Sequence, residues 1–194
     1  AAMQKRRIEL ARAHYGASHP IVLQGLLSEV SAASERQDHA SASTLLDQID
    51  LLLDQSGQNQ SLLRADWWQQ RAREIYLTGG AMDEMAKSLE QCFALYEKLA
   101  PGTRGYATAL SDAANIYSER GDPVQQRRLN ERALAVYAAA PDRNDADVQV
   151  VLGNYARNLE LLGEFEPAQD AYTRAEDLAR HTHGAQDQRY WLTL

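Results

Sequence analysis

The stretch LGNYARNLELLGEFEPAQDAYTRAEDL, beginning at Leu152, lies over LSDAANIYSERGDPVQQRRLNERALAV, beginning at Leu110, at a constant offset of 42 residues. Gly163 then falls on Gly121, Ala156 on Ala114, Leu159 on Tyr117 and Ala175 on Ala133. One step back finds Trp68, Ala72, Ile75 and Gly79. The next finds Leu26, Val30 and Ala33, with Gln37 where the other copies have glycine. One step forward from Leu152 reaches Leu194, the final residue, and Gly16 and Gly184 stand four steps apart. A fixed period of this length means that one small unit recurs and buries its apolar face on its neighbours. The first and last copies are incomplete, which reads as a chain excised from something longer.

Each unit holds two helices. Strand signals are nearly absent; Ala, Leu, Gln, Glu and Arg dominate, and apolar residues recur at helical spacing. Pro20, Pro101 and Pro141 precede or open helices, and Pro123 and Pro167 follow tight turns. A first-turn proline there loses no helical hydrogen bond. Gly79-Gly80, Gly121 and Gly163 mark helix ends that want a positive φ. The pattern predicts helices over 2–15, 20–36, 39–55, 60–78, 82–100, 104–120, 123–139, 145–162 and 166–182, with a stub from about 188. Short connections make sequence neighbours antiparallel. The expectation is one all-α domain over 1–194, with a partial repeat at 1–19, repeats at 20–61, 62–103, 104–145 and 146–187, and a stub at 188–194.

The pattern inside a unit is an apolar residue, a small one four later, a bulky one three on, a glycine four on, and then a second helix. It resembles the tetratricopeptide repeat (TPR). In NYARNLELLGEFEPAQDAYTRAEDLA, Ala156 and Ala168 match the small packing residues, Gly163 the turn, and Tyr172 and Ala175 the second helix. The usual repeat is about 34 residues; the longer period, with YGASHP between units, is similar to the kinesin-light-chain type. The resemblance implies an α-α superhelix (solenoid) of about four hairpins, with partial repeats at both ends and the first helices lining a concave side. It also implies a protein-interaction module of a larger bacterial signalling or regulatory protein. The copies differ in detail. Gly79-Gly80 adds a residue, so Met85, Leu89 and Cys92 match one position late, and Gln126 occupies a small-residue position.

Two charged residues interrupt the core pattern: Glu29 and Arg71, 42 apart, stand where the family has a large apolar side chain. They either reach out to water or pair across adjacent repeats. Of the neighbours Trp67 and Trp68, Trp68 falls on the core register. Trp67 must point elsewhere, as a partner contact or against the adjacent second helix.

Charge and motifs narrow the function. With 27 Asp+Glu against 20 Lys+Arg, the net charge of −7 argues against direct nucleic-acid binding. The 17 arginines are spread along the chain as solvated helix faces rather than clustered. Cys92, the one cysteine, excludes an intrachain disulfide and lies on an apolar helix face. No apolar run is long enough to span a membrane and no leader is visible, so the expected location is cytoplasmic. His14, His19, His39, His181 and His183 form no metal-ligand spacing, and DRNDAD lacks the glycine and the glutamate of a calcium loop. No phosphate loop or nucleophile motif is present. No enzyme, metal or cofactor is expected.

That leaves the face of the first helices opposite the core. It reads Ser28 and Ser31, Gln70 and Arg73, Asp112 and Asn115, Asn154 and Arg157, each pair 42 after the last. Amides suit an extended peptide backbone, and arginine suits a carboxylate. The expected site is therefore a peptide groove formed by Gln70, Arg73, Asp112, Asn115, Asn154 and Arg157, with a protein or peptide as partner. Two other readings stand beside it. One is a sensor of a small ligand or signalling peptide that regulates an attached domain; the other is a self-associating spacer whose exposed terminal repeats, with Trp191, Leu192 and Leu194, pair with another copy.

Overall fold

The computed structural model describes residues 2–183, and all the regular structure among them is helical. The helices are α1 (Ala2–Tyr15), α2 (Pro20–Glu35), α3 (His39–Gln55), α4 (Leu62–Leu77), α5 (Met82–Leu99), α6 (Arg104–Glu119), α7 (Pro123–Ala139), α8 (Asp145–Leu161) and α9 (Phe165–His183). Every boundary lies within two residues of its expected place. The stub expected after 187, with Trp191, Leu192 and Leu194, falls outside the described residues.

The chain divides into two compact units, Ala1–Ala100 and Pro101–Leu194. In the first, each of α1 to α4 packs on the next helix, and α2 also touches α4. In the second, α6, α7 and α8 each pack on the next helix, and α6 also touches α8. Contacts between alternate helices as well as neighbours stack the hairpins in layers.

The helix ends explain the glycines. Gly79, Gly121 and Gly163 have φ of +71°, +73° and +78°, in the left-handed region that a side chain disfavours. The next residue's N–H then donates to the carbonyl five back: Asp122 to Tyr117 at 2.9 Å and Glu164 to Leu159 at 2.9 Å. Gln37, which replaces the glycine in the first copy, adopts the same conformation with φ +60°, and Asp38 N–H closes onto Ala33 O at 2.9 Å. The repeat dictates the turn even where the residue type does not favour it.

Burial follows the 42-residue register. Leu26, Leu110 and Leu152 are buried, and so are Val30, Ala72, Ala114 and Ala156 one helical turn on. Met85, Leu89 and Cys92 are buried as well, confirming the one-residue slip that the glycine pair introduces. In the last hairpin Ala168, Ala171, Ala175 and Ala179 bring α9 close to α8.

Two expectations about side chains are corrected. Trp67, not Trp68, is the more deeply buried, and of its two expected placements it takes the one against the adjacent second helix, α3. Its indole N–H donates to Leu46 O at 2.8 Å, and the Arg64 guanidinium lies 4.8 Å from its ring. Trp68 packs half-buried against the same core, with the two rings edge to face. Adjacent helical residues are about 100° apart, so a core reaching α4 from both α2 and α3 takes both.

Glu29 and Arg71 neither reach water together nor pair with each other. Glu29 is 6% exposed, and its ion-pair partner is Arg36, at 3.5 Å. Arg71 lies over the Trp67 ring at 5.5 Å.

Candidate functional site

The residues expected to line one groove are found in two clefts, one in each compact unit. In the first unit, a cleft of about 190 Å³ runs between α2 and α4 and takes in Ser28, Ser31, Asp66 and Gln70. Both serine hydroxyls turn onto their own helix, Ser28 to Gln24 O at 2.9 Å and Ser31 to Leu27 O at 3.4 Å. Gln70 Oε1 is enclosed and receives no hydrogen bond. Asp66 accepts from the Tyr96 hydroxyl. Burial pushes the Asp66 carboxyl above the usual carboxylate range, opposed by that hydrogen bond. Burial pushes the Tyr96 phenol up too, with the nearby Asp66 charge adding to it. Arg73 is exposed and is not part of the cleft lining.

In the second unit, a larger cleft of about 330 Å³ opens between α6 and α8, with α7 contributing Gln126. Asn115, Asn154 and Arg157 all line it, so three of the six expected residues come together here. Asn154 Nδ2 donates to Asn115 Oδ1 at 3.0 Å, closing one rung between alternate helices. The other halves of the two amides, Asn115 Nδ2 and Asn154 Oδ1, make no hydrogen bond to the described residues. Arg157 is exposed at the rim, beside Leu161. Asp112 is exposed and lies outside the lining.

Gln126 is the contributor that sequence reasoning did not assign. It is buried, and its Oε1 accepts from Asn158 Nδ2 at 3.0 Å, while the same amide nitrogen donates to Pro123 O at 2.9 Å. The signal was present: a polar amide at the position that Ala168 fills in the last copy. The described residues hold no group of three His, Cys, Asp or Glu placed to bind a metal, and no described helix is long and apolar enough to cross a membrane.

Paired helices at a 42-residue period, layered through contacts between alternate helices, define a TPR-like repeat array of the α-α superhelix class. Solved structures agree. BtubC (BKLC) from P. vanneervenii matches with a TM-score of 0.74 at 14% identity, over 86% of this chain and 66% of that protein. The chain thus spans just under two thirds of BtubC. A kinesin-light-chain-like protein of Podosopora anserina, with nearly identical TPR-like repeats, matches with a TM-score of 0.64 at 17% identity, over 93% of this chain and 86% of that one. A single-substitution variant of the latter gives 0.66. No protein-family model matches the sequence, and no curated protein matches it either.

Proposed function

We propose that the chain is a binding module, not an enzyme, and that it holds extended peptide segments of partner proteins against its first helices. The supporting observation is the Asn115–Asn154 rung. It leaves one amide donor and one amide acceptor open on the cleft. A peptide unit presents the complementary pair, a carbonyl and an N–H. Arg157 stands at the rim without a hydrogen bond or ion pair to the described residues, and so offers a charge-assisted contact to a carboxylate. Gln70, on the lining of the first unit's cleft, offers its amide to the ligand there, and Arg73 is the exposed cation on the same helix. Asp112, exposed one turn before Asn115, disfavours a uniformly acidic ligand and favours one of mixed charge. The repeats that carry this function are 20–61, 62–103, 104–145 and 146–187.

The test is a peptide-array screen followed by titration of the best binders. Arg157→Ala is expected to weaken binding about tenfold, and the Arg73→Ala/Arg157→Ala double variant further. Affinity should fall with added salt. Equal affinity of the native chain and the double variant for a verified peptide would move the site off these clefts.

A further inference from the structure

A third cleft, of about 410 Å³, lies in the first unit between α1, α2 and α3 and shares no lining residue with the peptide clefts. Its wall carries Glu29, 6% exposed, whose Oε1 is fully enclosed and accepts no hydrogen bond. Arg36 Nη2, 3.5 Å away, forms an ion pair with it but no hydrogen bond. A buried carboxylate without donors is costly. Packing does not demand an acid here, because the equivalent positions in the later repeats are Arg71, Ala113 and Tyr155. The feature therefore calls for a donor from elsewhere.

The other polar groups sort into spent and free. Asp38 caps α3: its Oδ1 accepts from Ser41 N–H at 3.2 Å, and hydrogen bonds from Ser41 hold its carboxyl below the usual range. Thr44 Oγ1 donates to Ala40 O at 2.8 Å. The side chains of Lys5 and Arg36 make no hydrogen bond to the described residues, although Arg36 is ion-paired with Glu29. The cleft thus joins one buried, undonated carboxylate to two cations at its mouth, with Ala33 and Leu45 as apolar wall. A purely cationic ligand would meet Lys5 and Arg36, and a purely anionic one would meet Glu29 and the ionised Asp38. A molecule carrying both charges a few bonds apart satisfies all three, and the volume is that of a small-molecule site.

We propose that this cleft binds a small zwitterion of the free amino-acid class, with its ammonium on Glu29 Oε2, the carboxylate oxygen that is not enclosed and accepts no hydrogen bond from the described residues, and its carboxylate between Arg36 and Lys5. An aliphatic or short polar side chain would lie along Ala33 and Leu45. Occupancy would bridge α1 to the hairpin of α2 and α3.

The experiment is an NMR titration of the full chain with each of the twenty free amino acids, using acetate and methylammonium as single-charge controls. At least one amino acid should shift the amides of residues 29–45 saturably, with both controls inert at the same concentration. Glu29→Gln should weaken that binding about tenfold or more. Lys5→Gln, at an exposed side chain with no ion pair to lose, should also weaken binding and leave the fold intact, which keeps the test open if the Glu29 variant unfolds. Three results would overturn the proposal: no saturable amino acid, either control titrating as strongly as the amino acids, or binding unchanged in the variants.

Discussion

Gln37 holds a φ of +60° at a turn where three later copies place glycine. A non-glycine residue in this region carries a penalty on the order of 1 kcal/mol, and glycine's greater freedom in the unfolded chain gives part of any gain back. Gln37→Gly should therefore raise stability by about 0.5–1 kcal/mol, and Gly163→Ala should lower it by about 1 kcal/mol. Around Gly163 a Cβ would meet no atom within 4 Å, so only the backbone conformation is at stake. Chemical denaturation measures both; a neutral Gly163→Ala would contradict the turn geometry. Asp66 tests another local effect. Its folded pKa is raised by burial, so its contribution is favourable in acid and is lost as pH rises through that folded value. Asp66→Asn keeps an acceptor for Tyr96 and removes the desolvated charge. The variant should be more stable than the parent at neutral pH, with the gap closing as pH falls toward about 4. A gap that widened in acid would refute the assignment.

At the scale of helices, small residues decide how closely elements approach. Ala156 is fully buried in α8, which packs on α7 and α9 and touches α6. Ala156→Leu would force three more carbons into that space and should cost about 1–3 kcal/mol. Thermal unfolding of the variant checks it, and an unchanged melting temperature would place Ala156 outside the core. Polar side chains also link the elements. Glu74 of α4 accepts from Ser34 of α2 and lies 3.0 Å from His39 Nδ1 of α3, so one buried carboxylate ties three helices together. Arg64, almost wholly buried, is held by Asp50, Asp54 and Asn59 while covering Trp67, which locks α4 to α3. These links supply specificity where apolar contacts alone would permit sliding.

Over the whole molecule the charge is −7, and many arginines are occupied at home. Arg127 meets Glu131 and Glu164, Arg104 meets Asp147, and Arg180 meets Glu176. Half-exposed pairs of this kind contribute little to stability, but they neutralise cations that a phosphate backbone would need. The chain should show no shift of a DNA duplex in a mobility assay at about 0.15 M salt. A salt-sensitive shift there would reveal a basic face hidden by the overall balance.

Period, helix positions and turn glycines were readable from residue order, because each depends on chain-local physics. Helical spacing, a first-turn proline and a positive φ act within a few residues, and a recurring unit repeats them. The residues of the second unit's cleft were legible for the same reason: Asn115, Asn154 and Arg157 sit on one helical face at a fixed offset. What residue order left open was how deep each polar or aromatic side chain would lie. Trp67 rather than Trp68 is enclosed, Glu29 faces a cleft closed by α1, and Gln126 reaches the second unit's cleft from α7. A helix's own periodicity sets the direction of a side chain, but a neighbouring helix, distant in sequence, sets what covers it. Only the packing of α3 on α4, α1 on α2 and α7 on α8 decided those three.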